Sequence, residues 1–211
     1  MKNVKKVMIA LVISFVLTSA INAYSEKVCG EIENSMIRLH IIANSNSDKD
    51  QNIKLKIRDE ILKAEGERLV AQTGQECEGT VKDRLDEMEQ LAEKILAENG
   101  FSYGAHAEYG RFDFPKKQYK NMILPPGKYY GVRIVLGDGK GENWGWVLYP
   151  PLCMTNGNEA VLGEKSQKLL KENLSDEAYE IITQTDGEVN VKFYVVELAG
   201  EIKQYMKSML E

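Results

Sequence analysis

The sequence predicts an α+β fold: one domain with a mixed, largely antiparallel sheet packed by helices, preceded by an N-terminal signal or anchor helix. Three observations carry that prediction. Short runs of branched and aromatic residues with a period of two stand apart from longer runs with helical spacing. No internal repeat, low-complexity tract or proline-rich linker divides the chain. With 43% hydrophobic and 28% charged residues, the 211-residue chain has the means to bury a core rather than stay disordered.

The N-terminus reads as a leader. Lys2, Lys5 and Lys6 precede an apolar run from Val7 to Leu17, broken only by Ser14. Thr18 to Ala23 then grade into polar sequence, completing the three parts of a secretory signal. The division is therefore 1–23, a signal peptide or signal anchor, and 24–211, an exported α+β domain. The leader holds three lysines and no acid, so the remainder carries 24 basic against 32 acidic side chains, a net charge of −8. Such a surface opposes nucleic acid and anionic lipid alike. Contact with a membrane is expected only through the N-terminal segment.

Met36 to Ala43 is a strand, with Ile37, Leu39, Ile41 and Ala43 on one face. Met36, Arg38, His40 and Ile42 share the other, which places two polar groups in a buried element. Asn44 to Ser47 breaks the strand. Ser47 is a helix N-cap, with Asp50 three residues on to answer it. Ile53, Ile57, Ile61 and Ala64 recur at helical spacing. Glu65 to Gly79 reads as a polar loop holding Cys77. Thr80 and Asp83 resemble a second capping box ahead of Val81, Leu85, Met88, Ala92 and Ile95, and Asn99-Gly100 is the stop.

The period then changes. Phe101, Tyr103, Ala105, Ala107 and Tyr109 alternate, and the parity switches to Phe112 and Phe114, which predicts a bulge at Gly110. After the turn Leu124-Pro125-Pro126-Gly127, Tyr130, Val132, Ile134 and Leu136 alternate again. Gly137 to Gly141 reads as a hairpin tip leading to Trp144, Trp146 and Leu148, giving three antiparallel strands. Helices are expected over Glu164–Asn173 and Asp176–Gln184, the latter capped by Ser175. A strand over Val189–Val196 and a closing amphipathic helix through Leu198, Ile202, Tyr205 or Met206, and Met209 complete the chain.

Few residues offer chemistry. Gly137-Asp138-Gly139-Lys140-Gly141 lacks the spacing and the Lys-Ser/Thr pair of a phosphate loop. Asp48 and Asp50 open a helix, where carboxylates have a structural reason to be, and they do not match a calcium loop. No metal site or cofactor is predicted. His106 reads as a surface or cross-strand residue. Cys29, Cys77 and Cys153 allow one disulfide in an oxidising compartment and leave its partners open. A secreted thiol hydrolase using Cys153 and His40 is the one enzymatic reading the residues allow.

Two stretches are more distinctive. The first is Arg38-Leu39-His40-Ile41-Ile42-Ala43-Asn44-Ser45-Asn46-Ser47-Asp48-Lys49-Asp50-Gln51, continuing through Lys54-Leu55-Lys56-Ile57-Arg58-Asp59. The second is Gly110-Arg111-Phe112-Asp113-Phe114-Pro115, followed by Gly139 to Trp144 and by Leu148-Tyr149-Pro150-Pro151-Leu152-Cys153. Together they resemble the stage II sporulation protein R family of endospore-forming bacteria, from about Glu33 to Cys153. The resemblance implies a non-enzymatic signalling protein made in the forespore and exported to the space between the two sporulation membranes. Its partner would be the membrane-embedded aspartic protease of the mother cell, which processes a sigma-factor precursor. The ligand would switch that protease on through the part exposed to the intermembrane space.

Family members tend to carry a further cysteine after the two tryptophans, where this chain reads Trp144-Gly145-Trp146-Val147. Cys153 thus lacks that local partner. Two regions are suited to partner contact. One is the strand-to-helix corner with His40, Asn44, Ser45, Asp48, Asp50 and Gln51, extended by Arg58. The other is the aromatic end with Trp144, Trp146, Tyr149, Pro150, Pro151 and Cys153, joined by the motif residues Phe112 and Asp113.

Overall fold

The computed structural model describes residues 2–69, 74–154, 160–183 and 191–209. A long helix, α1 (Lys2–Asn34), leads into strand β1 (Ile37–Ile42). Three helices follow: α2 (Asp48–Leu69), α3 (Gly74–Asp83) and α4 (Leu85–Glu98). The middle holds β2 (Ala105–Phe114), β3 (Lys117–Tyr119), β4 (Met122–Leu124), β5 (Gly127–Leu136) and β6 (Asn143–Tyr149). Short strands β7 (Cys153–Met154) and β8 (Ala160–Val161) precede α5 (Glu164–Asn173), α6 (Asp176–Thr183) and α7 (Val191–Ser208). The predicted α+β architecture, with a mixed and mainly antiparallel sheet, is what forms.

The main sheet has the order β2-β5-β1-β6. β1 is parallel to β5 and antiparallel to β6, while β2 is antiparallel to β5. The expected hairpin between β5 and β6 is therefore wrong, because β1 lies between them. Its central place follows from its sequence. Ile37, Leu39 and Ile41 on one face and Arg38 and His40 on the other are all buried, as only an interior strand requires. The 137–141 segment instead crosses the end of β1. Gly141 N–H donates to the Ala43 carbonyl (2.9 Å) and Lys140 N–H to the Asn44 carbonyl (3.1 Å). Gly137 and Gly139 take φ of 55° and 61° to make that crossing, a conformation that side-chain-bearing residues resist.

The two faces of the sheet support two cores. α2, α3 and α4 bury Ile53, Ile57, Ile61, Val81, Met88 and Ile95 against Leu39, Ile41, Val132 and Ile134. On the opposite face Val28 and Ile32 of α1 and Ala178, Ile181 and Ile182 of α6 meet Phe114, Tyr129 and Val147. This division replaces the predicted bulge at Gly110. β2 pairs with β5 residue for residue from Ala105 to Phe114, with no extra residue. Ala107 and Tyr109 serve the first core while Phe112 and Phe114 serve the second, so the apolar parity switches although the strand stays regular.

Other departures have similar causes. Much of the supposed loop from Glu65 to Gly79 is helical, with 70–73 outside the described residues. Glu65, 2% exposed, closes α2 against Arg84 through two hydrogen bonds (2.8 and 2.9 Å), and Cys77 is buried within α3. Thr80 lies inside α3 rather than capping a helix, and α4 starts after Arg84 without a side-chain cap. The expected strand at Val189–Val196 is the start of α7 from Val191, and 189 and 190 lie outside the described residues. Phe193, Val196 and Gly200 recur at helical spacing and are buried, which outweighs the local preference of valine for strands. α5, the Ser175 cap of α6 and the stop at Asn99-Gly100 (φ 74° at Gly100) form as expected, and 184 is outside the described residues.

Candidate functional site

The link between β1 and α2 is built around one carboxylate. Asp50 is 6% exposed and accepts hydrogen bonds from Ser45 Oγ (2.6 Å), Asn44 Nδ2 (3.0 Å) and the Tyr103 hydroxyl (2.6 Å). Its own N–H donates to Ser47 Oγ (3.2 Å), the N-cap contact that the sequence predicts. Burial pushes the Asp50 carboxyl upward, and the hydrogen bonds from Ser45, Tyr103, Asn44 and Ser47 overcome it, so the group stays below its usual range. Tyr103 is pushed up by burial and then by its bond to Asp50.

The same corner clasps the crossing segment from the second motif. Asn44 Oδ1 accepts the Asp138 N–H (2.9 Å), and Asn46 Oδ1 accepts the Glu142 N–H (2.6 Å). Lys54 Nζ donates to the Glu142 carbonyl (2.9 Å) and to Gln51 Oε1 (2.5 Å), while Gln51 Nε2 donates to the Ser45 carbonyl (2.9 Å). Burial lowers the Lys54 ammonium from its ordinary value. Residues about ninety apart in sequence thus form one hydrogen-bonded unit. Its outer surface presents Asn46, Asp48 and Lys49, with Asp138, Lys140 and Glu142 beside them.

Arg58, Trp144 and Trp146 come together next to this corner. The two indoles stack at 5.5 Å with an interplanar angle of 13°, and the Arg58 guanidinium lies 5.2 Å from the Trp144 ring. Both tryptophans are half-buried against the first core, and Trp146 also reaches the second, edge-on to Tyr119. Between the two tryptophans Gly145 pairs with His40, whose side chain is on the other face.

His40 is 5% exposed, its ring centroid 3.8 Å from that of Phe114. Burial first, then the charges of Arg38 and Arg133, lowers its pKa to about 4. Phe112 lies under the Arg133 guanidinium (4.4 Å), which is held by Glu108 (2.7 Å), and Asp113 is exposed at the far end of β2.

The second predicted region is split by the length of β6, about 20 Å at the usual rise of a strand. Trp144 belongs with the corner, whereas Pro150, Pro151 and Cys153 follow the opposite end. Pro150 is buried after a cis peptide bond, and the Pro151 carbonyl accepts Ser166 Oγ (2.6 Å). Cys153 is an exposed free thiol near Gly163, Cys29 is half-buried and Cys77 fully buried, and none forms a disulfide. His40 and Cys153 therefore occupy different surroundings, with no hydrogen bond between them.

Sequence reasoning passed over several participants. Tyr103 read only as one member of an apolar alternation, although a phenol there can reach a buried carboxylate. Asn46, Lys54 and Glu142 lay inside the two motifs, and Asp138 just before Gly139, without a role in the site. Arg38 is the most unusual: 1% exposed, its guanidinium 4.1 Å from the Phe114 ring and 4.9 Å from that of Tyr129. Among the described residues its Nε and Nη1 meet no hydrogen-bond acceptor. The sequence places this arginine, with His40, on a buried strand face, but does not show its stacking against Phe114 and Tyr129.

Fold and site together define an α+β domain behind an N-terminal apolar helix of the signal or anchor type, with its first motif and the Gly139–Trp144 segment gathered at one corner of the sheet. The chain belongs to the stage II sporulation protein R family, whose sequence profile matches residues 33–159. Stage II sporulation protein R of Bacillus subtilis (strain 168) is 31% identical over 186 residues, covering 81% of this chain and 83% of that protein. No solved structure matches. The matched span takes in the whole corner and the tryptophan pair and ends before α5.

Proposed function

We propose that this protein is an exported, non-enzymatic sporulation signal. It acts from the intermembrane space, where it activates the membrane-embedded aspartic protease that processes the mother-cell sigma-factor precursor. One observation carries the reading beyond family membership: the first motif and the Gly139–Trp144 part of the second meet on a single hydrogen-bonded surface. The buried Asp50 carboxylate and the half-buried Asn44, Ser45 and Gln51 are satisfied by one another and by nearby backbone groups, which fixes the exposed residues around them. A ligand activates a protease only by binding its active state better than its inactive one, and a pre-ordered surface keeps the entropic cost of that binding low. The Trp144–Trp146 pair and Arg58 supply residue types that dominate such interfaces.

The test is site-specific photo-cross-linking in sporulating cells. Probes at Asp48 and Lys140 should join this chain to the exposed part of the protease, and a probe at Lys94 on α4 should not. Normal precursor processing in cells that lack this protein would overturn the reading.

A further inference from the structure

α7 has two apolar faces, and the fold uses only one. Phe193, Val196 and Gly200 are buried, with Val196 in the second core. Tyr194, Leu198, Ile202, the adjacent pair Tyr205 and Met206, and Met209 recur every three or four residues on one side, and each is about half to two-thirds exposed. That makes a stripe along the full length of the helix, larger than the scattered apolar residues of ordinary surfaces. Beyond Gly200 no described side chain of α7 is buried.

The place of α7 says what covers the stripe. α7 packs on α1, where Cys29 Sγ lies 4.0 Å from the Val196 carbonyl. Residues 4–23 of α1 are exposed throughout, and Ser25 and Val28 are its first fully buried side chains. The exposed part is long and apolar enough to cross a bilayer. From Ala23 to Cys29 the helix rises only about 9 Å, close to the depth of one headgroup layer. A helix that packs at that level with an apolar stripe outward meets lipid wherever α1 is in a membrane. The net charge of the domain works against electrostatic attachment, so the contact has to be apolar. Tyr194 and Tyr205 are of the residue type that collects at membrane interfaces.

We infer that α7 is a second membrane contact, its Tyr194–Met209 stripe resting in the interface of the bilayer that holds α1. This inference is independent of the receptor proposed above, because it needs only lipid. The test uses the full chain with Cys29→Ser, Cys153→Ser and Ile202→Cys, labelled with an environment-sensitive fluorophore and reconstituted in phosphatidylcholine vesicles. Nitroxide carried on the shallow part of the acyl chain should quench the probe about twofold or more, the depth expected of an interfacial helix. The same label at Lys94→Cys on α4 should be unaffected. Adding Leu198→Glu, an exposed substitution that leaves the core intact, should abolish quenching at 202. Emission at 202 that is water-like and unquenched overturns the inference. Blue-shifted emission that lipid nitroxide does not quench overturns it too, since protein would then cover the stripe.

Discussion

His40 makes the stability of this domain depend on pH in a defined window. Its imidazole titrates near pH 6.5 in an unfolded chain and near pH 4 in the native one, where burial and the charges of Arg38 and Arg133 oppose protonation. Between those values the unfolded state binds more protons, so stability falls as pH drops through the window and is complete above pH 6.5. A gap of about 2.5 units amounts to roughly 3 kcal/mol, of which about 2.5 kcal/mol is lost by pH 4.5. The perturbation is His40→Gln, which removes the titration and keeps a neutral polar side chain beside Phe114. Urea denaturation of the two proteins at pH 7, 6, 5 and 4.5 provides the assay. The difference in unfolding free energy should narrow by about 2–3 kcal/mol as pH falls, because only the wild-type protein loses the His40 contribution. The carboxylates are shared by both proteins and cancel in the comparison. Parallel pH profiles would refute the reasoning, since they would mean that the native imidazole protonates as freely as the unfolded one.

Three further outcomes follow from the packing. Asp50→Ala strips the partner from Ser45, Asn44 and Tyr103 together and should cost about 2–4 kcal/mol, with faster amide exchange at Asp138 and Glu142. Arg38→Met replaces a buried cation by an apolar chain of similar length; thermal denaturation should show a change between neutral and about 3 kcal/mol more stable. Cys153→Ala removes an exposed thiol and should shift stability by no more than about 0.5 kcal/mol, while sigma-factor processing in sporulating cells persists. Loss of processing by a folded, exported Cys153→Ala protein would favour thiol chemistry instead.

Local signals in the chain were a sound guide where the structure is local. The strand at Met36–Ala43, the Ser47 cap, α5 and the start of α6 all follow from a few adjacent residues. The signals failed where distant partners decide. Nothing near Gly137 reveals that the strands on either side are parted by one from the beginning of the domain. The parity switch at Gly110 looked like a bulge because a single strand cannot show that two cores lie on opposite faces of its sheet. Val191–Val196 carries strand-forming residues, and its helix is imposed by the pocket that receives Phe193 and Val196. The corner was half legible. Asn44, Ser45 and Asp50 announced a capped turn, but Tyr103 and the 138–142 backbone come from elsewhere in the chain. The tryptophans were recognised as anchors, yet grouping them with Pro150 and Cys153 ignored the length of the strand between them.

The position of β1 bears on how the molecule comes into being. It is the first strand to emerge during synthesis, and both of its neighbours are encoded about ninety or more residues downstream. Until Leu136 has been made, the central strand of the sheet has no complete edge to join, and until Glu142 follows the corner beyond it has no full crossing segment to hold. Contacts of that range make folding slow, since the intervening chain must be closed into a loop before any pairing repays the cost. A nascent chain therefore stays open through most of its length and acquires its hydrogen-bonded corner late, in the same step that completes its core. Truncated or stalled products would carry the motif of residues 38–51 without the shape that the crossing segment gives it.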